Sequence, residues 1–142
     1  MDKAAPEPGA IQDIVHRGVP LAAAWGIEVL AAANGTARCR LPWRAELLRP
    51  GGTISGPALM GLADVAMWAA LLGQTGGQDE SLTASLTIHF LRRLQPGPVV
   101  AEARVLKRGR IIFGEVLIGS EGAAEIAAHV TTSWAAVAPA RT

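Results

Sequence analysis

The chain is poor in the residue types that carry most metal and redox chemistry. It has 142 residues with a single cysteine, Cys39, three histidines and no tyrosine. One cysteine cannot form an internal disulfide, which is typical of a reducing compartment and predicts a cytoplasmic protein. No two histidines fall at metal-ligand spacing and there is no cysteine pair, so we expect no metal site.

The chain also lacks an excess of charge of either sign. The formal net charge is only +1, which gives no electrostatic basis for binding nucleic acid or a membrane surface. Residues 1–9 have no apolar core like that of a signal peptide, and we expect 1–9 and 138–142 to be flexible. Half of the residues are hydrophobic, which is enough for the core of one domain spanning 1–142.

The longest apolar stretch, residues 56–73, contains one charged residue, Asp64. The stretch is long enough to span a bilayer. A central Asp is costly in lipid and no basic flank follows, so we interpret it as a helix buried inside a soluble protein. A buried carboxylate is rare without a partner, which makes Asp64 a functional candidate. The alternative is a structural carboxylate bonded to the backbone or to an arginine.

The rest of the chain predicts an α+β domain. Asn34-Gly35 between two alternating runs indicates a hairpin. One long helix and about six antiparallel strands imply a curled sheet wrapped around that helix. The predicted helices are 10–17 and 56–73, and the predicted strands are near 26–31, 36–41, 82–91, 99–106, 111–118 and 124–134.

The start of the long helix carries the most specific pattern. Gly51-Gly52 permits unusual backbone angles, Ser55 or Gly56 can cap the helix, and Pro57 is tolerated in its first turn. Residues 49–66 (RPGGTISGPALMGLADVA) resemble the signature of hotdog-fold thioesterases of the phenylacetate-pathway (PaaI-like) type. The resemblance extends from about residue 25 to 134, including the Gly109-Arg110 turn. It implies a hotdog fold and hydrolysis of an acyl-CoA thioester to free acid and CoA.

The resemblance also implies residue roles. The family's carboxylate, which attacks the thioester carbonyl or activates water, maps to Asp64. The oxyanion donor maps to the backbone N–H of Gly56, and a free N–H at a helix N-terminus suits developing negative charge. Thr83 matches the strand position from which a neighbouring subunit supplies a hydroxyl in similar enzymes, although an ordinary sheet residue is the alternative.

Three positions depart from the family pattern. Ser55 replaces the motif histidine and can donate a hydrogen bond but cannot act as an imidazole. Arg49 replaces an asparagine and can pair with a carboxylate or a ligand phosphate. Trp68 stands one helical turn after Asp64, where some relatives carry a small hydroxyl residue, so it would narrow or reshape the acyl pocket.

Binding and assembly follow from the same resemblance. Several residues near strand ends suit the phosphates and adenine of CoA, which would enter as part of the substrate and not as a cofactor; the alternative is a solvated surface. These residues are Arg92, Arg93, Lys107, Arg108, Gly109 and Arg110. The resemblance implies a homodimer with sheets joined edge to edge, often paired into a homotetramer. Asp64 and Gly56 would come from one subunit and Thr83 from the other.

Two other functions remain open at this point. Loss of the motif His and Asn favours a non-catalytic acyl-CoA or lipid-binding protein of the same fold. A hydratase or dehydratase of this fold ranks last, because those relatives use a His with a carboxylate and no His lies near the start of the long helix.

Overall fold

The computed structural model describes residues 6–136, which form one long helix and a six-stranded antiparallel sheet in the order β1-β2-β4-β5-β6-β3. The α+β prediction is confirmed. In chain order the elements are α1 (Pro8–Gly18), α2 (Pro20–Trp25), β1 (Glu28–Ala33), β2 (Thr36–Leu41), a 3-10 turn (Ala45–Leu47), α3 (Gly56–Gln74), β3 (Leu82–Phe90), β4 (Val99–Lys107), β5 (Ile111–Ser120) and β6 (Ala128–Ala135).

The N-terminal region contains one helix more than the sequence indicated. The sequence predicts only the helix at 10–17 in this region, but Pro20 begins α2, where its missing N–H has no helical partner to lose. Helix α1 already begins at Pro8, so the expected flexible start is wrong for residues 8 and 9. Residues 1–5 and 138–142, also expected to be flexible, lie outside the described residues.

Helix α3 forms the centre of the core. Leu62, Met67 and Leu71 on it are fully buried, and the sheet curls around it. By length and composition α3 is apolar enough to cross a membrane, but 67% of its apolar 18-residue segment is buried inside the protein. The interpretation of residues 56–73 as a buried core helix is therefore confirmed.

Strand β3 is one of the two edge strands of the sheet and is poorly covered. It pairs only with β6, and none of its nine residues is buried. Leu82 and Phe90 at its two ends are 65% and 56% exposed. An edge with unpaired backbone groups and exposed apolar ends is a template for pairing with another strand.

A β-bulge in β3 changes which face each residue occupies. The register between β3 and β6 shifts between Thr83 and Ser85. Thr83 lies opposite Trp134, which is buried on the inner face, while Ser85 lies opposite Ser133 on the outer face. The bulged residue, Ala84, thus turns Thr83 towards α3, as bulges commonly re-aim a side chain. Strict alternation of residues 82–91 would instead place Thr83 with Ser85 and Thr87 on the outer face.

Candidate active site

Asp64 has one direct polar partner among the described residues, and it belongs to the same chain. The Thr83 hydroxyl donates a hydrogen bond to Asp64 Oδ1 over 2.6 Å. The expectation that a neighbouring subunit supplies Thr83 is therefore wrong for this contact, because the bulge brings the chain's own Thr83 to α3. The alternative prediction was a structural carboxylate held by an arginine. Within residues 6–136 no arginine forms an ion pair with Asp64.

Burial and hydrogen bonding act in opposite directions on Asp64. Partial burial raises the pKa of the Asp64 carboxyl above its ordinary value, and the hydrogen bond from Thr83 offsets part of that rise. Desolvation disfavours the charged form, whereas a donor to the carboxylate favours it. A carboxyl with a raised pKa and little solvation is a better proton acceptor than an exposed one, which suits a general base.

Removal of the Thr83 hydroxyl should therefore shift the pH profile. In Thr83→Val the pKa of Asp64 rises further, because a group that stabilises the charged form is lost. If activity requires the ionised carboxylate, the acid limb of kcat/KM moves to higher pH. Loss of activity is then greater at low pH than at high pH. The measurement is kcat/KM against pH.

Thr87→Val provides a matched control for this shift. Thr87 lies on the same strand but opposite Thr131, on the outer face of the sheet. Its profile should match that of the wild-type protein. An identical midpoint in the Thr83 and Thr87 variants would show that the hydroxyl does not act on the titrating group.

The Asp64 carboxylate opens onto a cleft of about 440 Å³. Trp68, Trp134 and Leu82 give it apolar walls, and Gly18 and Val19 close one side. The Trp68 ring packs directly on Gly18, because a Cβ at that position would lie 2.6 Å from its Cη2 atom. The departure at position 68 thus places a large ring in the wall of this cleft.

Gly56 lies in a second cleft, of about 520 Å³, at the N-terminus of α3. The Ser55 hydroxyl caps the helix by accepting a hydrogen bond from Ala58 N at 3.4 Å. Within the described residues no acceptor takes the Gly56 N–H, as expected for the first turn of a helix. Arg49, Arg92 and Arg93 line the same cleft, so its walls are cationic.

Gly56 and Asp64 are not neighbours in one chain. Eight residues separate them on a continuous helix, which corresponds to about 12 Å along its axis. They also line different clefts. A carbonyl oxygen within hydrogen-bond reach of one therefore cannot react at the other. The expectation that both act from one subunit on one thioester is wrong.

The residues proposed for CoA form two groups at opposite ends of the sheet. Arg92 and Arg93 follow β3, whereas residues 107–110 join β4 to β5 at the end where Ile111 pairs with Ala135. The ten residues of β5 separate the two groups by about 30 Å. Within one chain they cannot hold the same phosphates.

Some of these cations already have partners. Arg92 donates to Ile126 O at 2.9 Å, and Arg93 donates to Gly51 O at 3.3 Å. Arg108 donates to Gln74 over 2.8 Å and lies 3.7 Å from the Asp79 carboxylate. Arg108 is thus a structural link between the β4–β5 loop and the loop after α3.

Other nucleophiles and acid–base groups lie away from Asp64. Burial raises the pKa of the Cys39 thiol to about 12, so it stays protonated and unreactive. His129 contacts Glu115 at 2.8 Å on the outer face of the sheet, and this contact holds the pKa of Glu115 below its ordinary value. The part of the chain that the structure describes has no group of three potential metal ligands.

Sequence reasoning missed several residues of the two clefts. Trp134 and Asp79 line the Asp64 cleft, and Phe90 lies beside Gly56, 3.4 Å from a Cβ built there. Trp134 and Phe90 occupy inward positions of their strands, and the alternation of apolar residues in the sequence could have predicted this. Asp79 had no signal, because it lies in a loop whose path depends on the fold.

The comparisons with known proteins agree with this architecture. A family model described as "Thioesterase superfamily" matches residues 51–114, which include both Gly56 and Asp64. A Saccharolobus solfataricus protein named "Putative esterase" is 25% identical over 125 residues, covering 88% of this chain and 89% of that protein.

Two solved structures have the same fold. The "putative thioesterase" from Silicibacter sp. TM1040 is 28% identical, with a TM-score of 0.85, and covers 96% of this chain and 95% of its own. A mutant of the phenylacetic acid degradation protein PaaI from Thermus thermophilus is 28% identical, with a TM-score of 0.73 over 83% of this chain and 99% of its own. The chain has the hotdog fold of these structures, and its residues 51–114 are similar to the thioesterase superfamily. This similarity supports hydrolysis of a thioester as its class of reaction.

Proposed function

We propose that the protein hydrolyses acyl-CoA thioesters, with Asp64 as general base or nucleophile. The observation that carries the proposal is the partly buried Asp64 carboxylate, with a raised pKa, opening onto an apolar cleft and held by Thr83. Asp64 either takes a proton from an attacking water or attacks the thioester carbonyl itself. The carbonyl oxygen then needs a donor for its negative charge.

The donor we propose is the Gly56 N–H of a second copy of the chain. Gly56 of the same chain is about 12 Å from Asp64 along α3, which is too far. Two-fold pairing of β3 with β3 is antiparallel and, centred on Leu86, sets Thr83 opposite His89 of the second copy. Phe90 follows His89 and contacts Gly56, so this pairing carries the second copy's helix N-terminus towards Asp64.

The same pairing brings together the two groups of basic residues, one from each copy of the chain. The second copy's Arg92 and Arg93 come to the end of the sheet that carries residues 107–110 of the first. Arg49, whose side chain lines the Gly56 cleft, moves with them. The CoA phosphates would then contact cations from both subunits, which is consistent with the spread of these residues along the chain.

The direct test is turnover of short, medium, long and aromatic acyl-CoAs, with binding measured on the same panel. We expect hydrolysis of at least one class. Binding without turnover would contradict the proposed enzyme and favour the acyl-CoA-binding alternative, which the replacement of the motif His by Ser55 motivates.

Mixing two inactive variants should restore activity if the site is shared. Asp64→Asn removes the base, and Gly56→Pro removes the N–H at a helix position that tolerates proline. In a dimer of one chain of each kind, one of the two sites has both groups intact. A co-refolded equal mixture should reach about a quarter of wild-type activity, because half of the randomly formed dimers are mixed.

The alternative arrangement gives a different result. If Asp64 and Gly56 act from the same chain, every site in the mixture lacks one group, and the activity stays at the sum of the two separate variants. Size-exclusion chromatography of each variant checks that both still form dimers.

A further inference from the structure

The cleft beside Asp64 has carboxylates but no cation in its lining. Asp79 and Glu80 line it together with Asp64, and no Lys, Arg or His does so among the described residues. Asp79 is held in place: its side chain is only 2% exposed, and its oxygens accept hydrogen bonds from Ser81 N at 3.0 Å and from the Ser81 hydroxyl at 2.9 Å. Arg108 contacts Asp79 from outside the cleft, at 3.7 Å.

Trp68 connects this carboxylate-bearing loop to the helix. Its indole N–H donates to the Asp79 carbonyl over 3.4 Å, while its ring packs on Gly18. Trp68 is four residues after Asp64, so its side chain lies one turn further along the same side of α3. An acyl group whose carbonyl carbon is at Asp64 and Thr83 would extend towards Trp68, Asp79 and Glu80.

We infer that this cleft selects uncharged, apolar acyl groups of limited length, and that Trp68 sets the limit. Leu82, Val65 and Trp134 bind the apolar chain, and the Trp68 ring closes the far end. An acyl group ending in a carboxylate is rejected, because its charge would lie beside the exposed Glu80 carboxylate, while Arg108 contacts Asp79 and does not line the cleft. This inference rests on the proposed function, since it assigns the acyl chain of that substrate to this cleft.

The charge selection needs no variant to test it. Hexanoyl-CoA and adipyl-CoA have six-carbon acyl groups that differ by the terminal carboxylate. We expect kcat/KM for adipyl-CoA to be about 100-fold lower than for hexanoyl-CoA, because bringing like charges close together costs binding free energy. Glu80→Gln should reduce this preference by about two- to fivefold, since Glu80 is exposed and screened by solvent. Equal or faster turnover of adipyl-CoA by the wild-type protein would overturn the inference.

The length limit is tested with Trp68→Ala. The ratio of kcat/KM for decanoyl-CoA to that for hexanoyl-CoA should rise at least about tenfold, because even one methylene group in an apolar pocket can be worth that much. Trp68→Phe should shift the ratio in the same direction by less, and serves if the alanine variant does not fold. Trp25→Ala is the matched control, since Trp25 packs on Gly61 of the same helix but does not line the cleft.

The outcomes separate this inference from the proposed function. An unchanged ratio in both folded Trp68 variants would overturn the length limit, while hydrolysis that depends on Asp64 would leave the thioesterase proposal intact. If the wild-type protein hydrolyses no acyl-CoA, the proposed function fails. Calorimetric binding of hexanoyl-CoA against adipyl-CoA then decides the selectivity: tighter hexanoyl-CoA binding supports it and equal affinity overturns it.

Discussion

Replacing Asp64 by Asn should lower kcat/KM for acyl-CoA hydrolysis by about 10²–10⁴-fold, the range expected for loss of a general base. The amide keeps the shape of the side chain and its oxygen can still accept the hydrogen bond from Thr83. It cannot accept a proton or attack a carbonyl. Full residual activity in this variant would rule out Asp64 as base or nucleophile. Asp13→Asn, an exposed change on α1, is the matched control for activity.

The same variant should keep or gain stability at neutral pH. Since the pKa of Asp64 is raised in the folded state, its contribution to stability is present at low pH and is lost as pH rises through that pKa. Asn does not titrate, so its melting temperature should match or exceed that of the wild-type protein above the pKa of Asp64. A large drop in the melting temperature would instead indicate that Asp64 is a structural carboxylate.

Gly73→Ala should be among the most destabilising single-methyl additions in the protein. A Cβ at residue 73 would lie 2.8 Å from Ala32 C, 2.9 Å from Ala33 N and 3.0 Å from Ala32 O. These are backbone atoms of β1, which cannot turn aside as a side chain could. Helix propensity alone would favour alanine by about 0.8–1.0 kcal/mol. Overpacking against backbone costs about 1–3 kcal/mol or more, so the steric cost prevails.

Urea unfolding followed by circular dichroism measures this difference. Gly9→Ala on α1 is the control, because a Cβ there meets nothing within 4 Å. It should leave stability unchanged or raise it by about 1 kcal/mol at most. If Gly73→Ala were as stable as the wild-type protein, α3 and β1 would have to lie further apart than the structure shows.

The long helix and its cap were predictable from local chemistry. A run of apolar residues, Ser55 as N-cap and Pro57 in the first turn are signals within a few residues of each other, and the structure confirms all three. Strands β2, β4 and β5 followed from alternation and turn residues. Helix α2 was missed because a proline after a helix is compatible both with the end of that helix and with the start of the next one, as at Pro20.

The arrangement of the site was less predictable because it depends on contacts between distant residues. The bulge at Ala84 leaves no mark in a strictly alternating sequence, yet it decides that Thr83 contacts Asp64. The resemblance named Gly56 and Asp64 as a pair to consider, but sequence spacing does not tell which copy of the chain supplies each group. Helix geometry supports our proposal of two different copies, since about two turns of α3 separate the two residues.

The strand order has a consequence for synthesis on the ribosome. Helix α3 is complete at Gln74, but β3 pairs only with β6, which ends at Ala135. At about 5–20 residues per second, roughly sixty residues take several seconds to emerge. During that time α3 can pack on β1 and β2, which precede it, and then on β4, but β3 still lacks its only partner strand among the described residues. The exposed edge strand β3 therefore stays without its sheet partner until the end of synthesis.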